Sequence, residues 1–155
     1  MSMAPTLARY LDQNVTYDTL FHEPTMSSMR TAQASHISGD CLAKGVVLRH
    51  NGSYLLAVLP ASRRIDLPEL RVEFGADVDM AREGEIDGLF EDCAHGAVPP
   101  VGECYGLEML IDESIDRLPE IYFEAGDHTT LVHMSQSQFA QLTADARHDR
   151  FSLHN

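Results

Sequence analysis

Leu42-Ala43-Lys44-Gly45-Val46-Val47-Leu48-Arg49, then Asn51-Gly52-Ser53, then Tyr54-Leu55-Leu56-Ala57-Val58-Leu59, is the stretch on which the fold turns. Two apolar, β-branched runs are joined by Asn-Gly, the dipeptide that best tolerates successive positive φ angles in a tight turn, so residues 42–59 predict a β-hairpin. On a two-residue period Lys44 shares a face with Leu42, Val46 and Leu48.

On the N-terminal side, Leu7, Tyr10 and Leu11 recur at helical spacing after Pro5, predicting a helix over 4–13 that ends at Asn14. Val15 to Phe21 reads as a strand. Ser27 to Ile37 reads as a second helix, entered through Ser27 or Ser28. On the C-terminal side, Asp66-Leu67-Pro68 is a helix start, carrying Leu70 and Phe74 as far as Gly75. Asp77 to Met80 predicts a short strand, Arg82 to Phe90 a helix and Gly96 to Gly102 a turn-rich loop. Tyr105 to Ile111, Glu120 to Glu124 and Thr129 to Met134 read as strands, and Ser135 to Leu142 as a serine-capped helix. The tail from Thr143 is polar and expected to fray. This alternation predicts one α/β domain over 1–155, with a core at about 4–143 and a polar tail at 144–155, built on a mixed sheet with peripheral helices.

The chain has 155 residues, 44% of them hydrophobic, too apolar for a disordered polymer and without the run of roughly 18 to 20 apolar residues that a membrane span requires. No secretory signal opens it, so a cytoplasmic location is expected. Three cysteines, Cys41, Cys93 and Cys104, without CxxC spacing argue against a disulfide framework. The net charge is −13, unevenly placed: residues 1–65 hold six bases and four acids, whereas residues 66–127 hold eighteen acids and three arginines. Such a chain repels a bare polyanion, so any nucleic-acid contact is expected on the N-terminal half, and the acidic stretch reads as a solubilising surface.

Lys44 is the sole lysine, set within an apolar strand. Either its ammonium meets an anion, a carbonyl or a water-lined cleft, or it snorkels to solvent from an edge. Gly96-Ala97-Val98-Pro99-Pro100-Val101-Gly102 has glycines at both ends and paired prolines between them. Such a loop either presents backbone N–H groups to a carbonyl oxygen or is a plain connector. His128, in Ala125-Gly126-Asp127-His128-Thr129, faces a cleft at a sheet end or serves as a turn histidine. A Cys93, His95, Cys104 metal site lacks a fourth ligand, and neither a metal nor a cofactor is expected. No GxSxG, P-loop or GxGxxG is present, so serine hydrolases of that type, nucleoside triphosphatases and Rossmann enzymes have no motif support.

In order and spacing these pieces resemble the YbaK-type aminoacyl-tRNA deacylase family, also found as the editing domain of prolyl-tRNA synthetases. The resemblance runs from Ala32-Gln33-Ala34-Ser35 and the strand lysine Lys44 through Leu55-Leu56-Ala57-Val58-Leu59-Pro60 and Arg63-Arg64-Ile65-Asp66-Leu67. It continues through the GxxxP loop Gly96 to Pro100, then Gly126-Asp127-His128 and the closing helix, covering roughly residues 4 to 143. It implies a strongly curved, barrel-like mixed sheet and a cleft that hydrolyses the ester of mischarged tRNA. By position Lys44 is the family lysine, Gly96 the loop glycine and His128 the late histidine, with Pro100 stiffening the loop.

An aminoacyl ester is already activated, so water could attack a carbonyl polarised by amides of the Gly96 loop without a covalent nucleophile, while Lys44 holds the terminal phosphate or ribose. Gly45 stands where relatives often carry a small polar residue, so a side-chain hydrogen bond to substrate is expected to be missing there. Gly102 joins the substrate-binding loop, and Arg49, Arg63 and Arg64 are expected to form a basic lip for tRNA. The resulting expectation is a freestanding, cytoplasmic trans-editing deacylase whose partners are mischarged tRNA and an aminoacyl-tRNA synthetase, with no membrane and no DNA. The alternative is a YbaK-like module that binds a nucleotide, amino acid or protein without turnover.

Overall fold

The computed structural model describes residues 2–25 and 27–154. The hairpin forms as expected: β2 (Leu42–His50) and β3 (Ser53–Pro60) pair antiparallel from Ala43↔Pro60 to His50↔Ser53. Asn51 and Gly52 turn the chain with φ of 51° and 75°. Both angles are positive, as a tight two-residue turn requires.

Around this hairpin lie β1 (Asp18–Phe21), β4 (Arg63–Ile65), β5 (Asp79–Met80), β6 (Glu108–Asp112), β7 (Glu120–Glu124), β8 (Thr130–Ser135), β9 (Arg147–Asp149) and β10 (Ser152–His154). The helices are α1 (Pro5–Asn14), α2 (Ser28–Ala34), α3 (Leu67–Phe74), α4 (Glu83–Leu89), α5 (Glu113–Asp116) and α6 (Gln136–Leu142). The main sheet is mixed, in the order β1-β8-β7-β2-β3-β6-β9, with β5 added to the far end of β2. Its outer strands β1 and β9 do not pair with each other, so the expected mixed sheet with peripheral helices is present and is open, not a closed barrel. Strands β4 and β10 form a separate two-stranded sheet.

Alternation along the hairpin feeds two cores. One face sends Ala43, Val47, Leu56 and Val58 against Leu7 and Leu11 of α1, Phe90, Val101, Phe123 of β7 and Phe139 of α6. The other sends Leu48, Ala57 and Leu59 against Leu70 of α3, Leu110 of β6 and Phe151.

Several boundaries depart from the sequence expectations for local reasons. Val15 closes α1, its N–H bonded to the Leu11 carbonyl at 3.0 Å, so β1 starts only at Asp18. Tyr105 belongs to a 3₁₀ turn (Glu103–Tyr105) that Gly106 ends at φ 73°, and β6 begins after it. Residues 77–80 contribute only the two residues of β5. The expected fraying of the tail is also corrected: β9 pairs parallel with β6, β10 pairs with β4, and Phe151 is 1% exposed. The Phe151 N–H donates at 2.9 Å to Asp112 Oδ1, and Arg63 Nε donates at 2.6 Å to Ser152 Oγ. Long-range bonds of this kind hold segments too short to be held by local propensity.

Candidate active site

Strand β2 is paired along the whole of its β3 edge but only at the two ends of the other edge. There Leu42 and Ala43 lie beside Tyr122 and Phe123 of β7, and Leu48 and Arg49 beside β5. The Cys41 carbonyl accepts from Tyr122 N–H and the Val47 carbonyl from Ala81 N–H, both at 3.0 Å. By the two-residue alternation of a strand, the peptide groups of Gly45 turn to that same edge, in the gap between β7 and β5.

A cavity of about 240 Å³ opens at this gap, lined by β2 from Ala43 to Val47, by Met80, Ala81, Ile86 and Val98, and by the polar groups Ser28, Glu83, Asp87, His95, Gly96 and Glu124. Lys44 is half-buried in its wall, and its Nζ donates to the Ala61 carbonyl at 3.3 Å. Burial holds its ammonium below the usual lysine range. Of the two placements open to this lysine, the cleft is the one observed.

The Gly96 loop forms the facing wall. Gly96 has φ 80°, a left-handed conformation that favours glycine. Ala97 N–H is taken by the Ala94 carbonyl at 3.0 Å, while Gly96 and Val98 N–H have no backbone acceptor among the described residues. Two residues of this wall thus carry amide donors without a backbone acceptor. Pro99 and Pro100 are buried behind them.

The loop packs directly against Gly45. A Cβ placed on Gly45 would stand 2.9 Å from Leu56 Cδ1 and 3.3 Å from Pro100 Cα. A side chain here meets the loop and β3, so any residue larger than glycine requires Leu56 and the Pro99-Pro100 backbone to give way. Gly102 lies deeper: its N–H faces Met109 Sδ at 3.3 Å and its carbonyl accepts from Tyr105 and Leu107, so it anchors the loop and does not line the cavity.

His128 stands behind Gly96, with φ 65° and Cε1 3.5 Å from the position of a Gly96 Cβ. Its Nε2 bonds the His95 carbonyl, which can only accept, so that nitrogen carries the proton. Asp127 builds this turn by accepting from the N–H groups of Thr129 and Thr130 at 3.1 and 2.8 Å and from Thr130 Oγ1 at 2.7 Å. His128 therefore braces the loop from behind. His95, which spacing did not single out, lines the cavity with Nδ1 3.0 Å from Asp87 Oδ1, and Asp87 raises its pKa above the usual histidine value.

The basic lip does not form at the cavity. Arg49 lies 3.8 Å from both Asp79 and Glu85, Arg63 is bonded to Ser152, and Arg64 Nη1 donates to the His154 carbonyl at 3.1 Å. None of the three lines the cavity. Arg63 and Arg64 belong to the clamp on β10.

Sequence reasoning also missed Glu124. It closes β7 on the same face as Lys44, because the parallel register Leu42↔Tyr122 brings residue 124 level with residue 44. Its side chain is 12% exposed; Oε1 accepts from Thr31 Oγ1 at 2.9 Å and lies 3.3 Å from Nε2 of the buried His22. Oε2 is buried with no partner among the described residues. Burial raises the pKa of this carboxyl, opposed by the Thr31 hydroxyl and by His22 and His128 nearby.

Among the described residues no helix is long and apolar enough to cross a membrane. Among solved structures, the fold is similar to the hypothetical protein APE2540 (TM-score 0.83, 20% identity, 96% of this chain and 99% of that one). It is similar also to a protein described as a candidate trans-editing enzyme for prolyl tRNA synthetase (TM-score 0.81, 23% identity, 98% of this chain and 99% of that one). A third is a candidate signal transduction protein from Marinobacter aquaeolei VT8 (TM-score 0.77, 21% identity), matched over 98% of this chain, which spans 31% of that longer protein. No curated protein matches the chain significantly. The profile of the aminoacyl-tRNA editing domain matches residues 22–142, a span that holds Lys44, the Gly96 loop, His128 and Glu124, and the chain belongs to that family.

Proposed function

We propose that the protein hydrolyses the ester joining an amino acid to the terminal adenosine of a mischarged tRNA, acting in trans. The observation that carries this reading is the cavity at the open edge of β2, where the sole lysine in one wall and two loop amides without backbone acceptors in the facing wall come together in a member of the editing family. The ester is an activated acyl group, so the protein's task is to place it and to stabilise the oxyanion of the tetrahedral intermediate. Gly96 and Val98 N–H are the donors for that oxygen. Lys44 holds the terminal phosphate or ribose, and water, assisted by the neighbouring ribose hydroxyl, attacks the carbonyl. A cavity of about 240 Å³ falls below the roughly 300–1,000 Å³ of sites that enclose drug-sized ligands, so it suits the aminoacyl group with the nucleoside at its mouth.

The tRNA body finds little on this chain, which carries a net charge of −13 and whose Arg49, Arg63 and Arg64 are engaged elsewhere. The likeness to a candidate trans-editing enzyme for prolyl tRNA synthetase supports a synthetase as the partner that supplies tRNA affinity. The competing reading, a module that binds without turnover, draws on Gly45 and on the acidity of the chain; the close approach of Pro100 gives that glycine a packing reason as well.

Deacylation of a panel of mischarged tRNAs tests the proposal and identifies the amino acid. Wild-type protein should release amino acid from at least one member. Lys44→Ala and Lys44→Arg should abolish release without lowering the melting temperature, because a planar guanidinium does not replace a compact ammonium. Wild-type rates in Lys44→Ala, or no turnover of any member, would overturn it.

A further inference from the structure

Three acids line the cavity, and two of them are solvated partners of His95: Glu83 and Asp87 have side chains 83% and 52% exposed. Glu124 differs in burial, in position and in what it lacks. It sits level with Lys44 where β2 and β7 part, one oxygen held by Thr31 and the other without a partner. A buried carboxylate with half of its acceptor capacity unused is costly unless something donates to it.

The neighbouring histidine does not resolve this. His22 Nδ1 lies 2.7 Å from the Glu23 carbonyl, so Nδ1 carries a proton and any donation to Glu124 must come from a second proton on Nε2. That nitrogen is 3.3 Å from Oε1, without the alignment of a hydrogen bond, and in either case leaves Oε2 unserved. Lys44 is turned toward the Ala61 carbonyl and makes no ion pair with Glu124 among the described residues. The site has a cation for a phosphate or ribose on one side and an under-satisfied carboxylate on the other.

We propose that Glu124 is a specificity residue that receives the α-ammonium of the aminoacyl group, so that the site admits free aminoacyl esters and discriminates against N-blocked or deaminated ones. This rests on the deacylase reading and names the part of the substrate that the cavity recognises. The α-amino group, with an ordinary pKa of about 7.7–8.0, is cationic over the neutral range. It is common to every aminoacyl ester, so its recognition leaves the choice of amino acid to the rest of the cavity. An ammonium donating to Oε2 supplies the missing partner and the opposite charge at once.

The test is binding, measured by calorimetry, of three non-hydrolysable amide-linked adenosine analogues that differ at one atom or group: 3′-alanylamino, 3′-lactylamino and 3′-(N-acetylalanyl)amino. Alanyl is contained within every larger aminoacyl group. The lactyl analogue replaces the ammonium with a hydroxyl of similar size, and so separates charge from bulk. Wild-type protein should prefer alanyl over lactyl by about 10- to 100-fold, the range of a charge-assisted hydrogen bond, and Glu124→Gln should reduce that preference to within about threefold. Glu124→Ser serves as a second neutral variant should the amide fail to fold.

Equal affinity of the wild type for alanyl and lactyl analogues, no measurable affinity for either, or an undiminished preference in the folded neutral variants would overturn the assignment. Failure of the deacylase reading shows differently. Wild-type protein that prefers the alanyl analogue but hydrolyses no aminoacyl-tRNA keeps the Glu124 assignment and removes the catalytic one.

Discussion

The two edges of β2 are built from the same residues and do opposite work. Toward β3 the ladder runs unbroken from Ala43↔Pro60 to His50↔Ser53, and the side chains it aligns enter both cores. Toward β7 and β5 the ladder has contacts only at its ends, and the interval holds Lys44, Gly45 and Val46. An unpaired edge is ordinarily a hazard because it invites another strand. Here the loop from Gly96 and the residues around α4 roof it, so its backbone faces a cavity. Continuous pairing supplies stability, and its local interruption supplies a place for a substrate.

The severest way to break this contrast is Gly45→Val, which drives a branched side chain into Leu56 and the Pro100 backbone. Deacylation should fall by 100-fold or more as the loop is displaced, with a loss of roughly 1–3 kcal/mol from overpacking, read by denaturant titration. Gly96→Ala acts on the open side alone. Deacylation should drop on the order of 10²-fold through misaligned amide donors, with a stability cost of about 1–2 kcal/mol for the positive φ. Should turnover of its folded fraction stay normal, the loop is structural.

Asp112→Ala sharpens the comparison from the paired side. Its carboxyl accepts from Phe151 N–H and from Ser114; burial pushes its pKa up, and these hydrogen bonds outweigh that and hold it below the usual carboxylate range. A depressed carboxyl stabilises the fold above its unfolded pKa and loses that contribution as pH falls through its folded value. The variant should lose about 1–3 kcal/mol at neutral pH, show a shallower loss of stability in acid and keep wild-type turnover in its folded fraction.

Glu124→Gln is the smallest and has the opposite sign. Glu124 is raised, chiefly by burial, so the stability it lends is full below its unfolded pKa and lost as pH rises through its folded value. The amide should remove that decline and melt higher than wild type near neutrality, with the difference vanishing in acid. A lower melting temperature at neutral pH would mark Glu124 as a structural acceptor.

What the sequence discloses follows from how local each feature is. The hairpin was legible because Asn51-Gly52 fixes turn and register within a few residues, and α6 because Ser135 caps its N-terminus and Phe139 and Leu142 recur at helical spacing. Strands β9 and β10 were not legible, since their anchors, Asp112, Arg63 and Arg64, lie far along the chain. For the same reason Arg63 and Arg64 read as a tRNA-facing lip. Lys44 was conspicuous as a sole lysine in an apolar strand, whereas Glu124 was one carboxylate in an acidic segment. The alternation Glu120-Ile121-Tyr122-Phe123-Glu124 places both glutamates on one face, which reads as solvated. Only the approach of β2, α2 and His22 buries the second of them. The usable signal was its position at the strand end, immediately before Ala125-Gly126.

The C-terminal pairings have a consequence for what a shortened chain would expose. Strand β6 joins the hairpin in parallel through Leu55↔Glu108 to Val58↔Ile111, but its outer edge is paired by β9, and the apolar surface around Leu48, Leu59 and Leu70 is packed by Phe151. A chain ending before Arg147 would therefore keep the hairpin but expose a bare strand edge and an apolar flank. The Asp112 carboxylate and the Arg63 guanidinium, left without Phe151 and Ser152, would then face solvent, so the last strands act as a cover on an edge that would otherwise invite self-association.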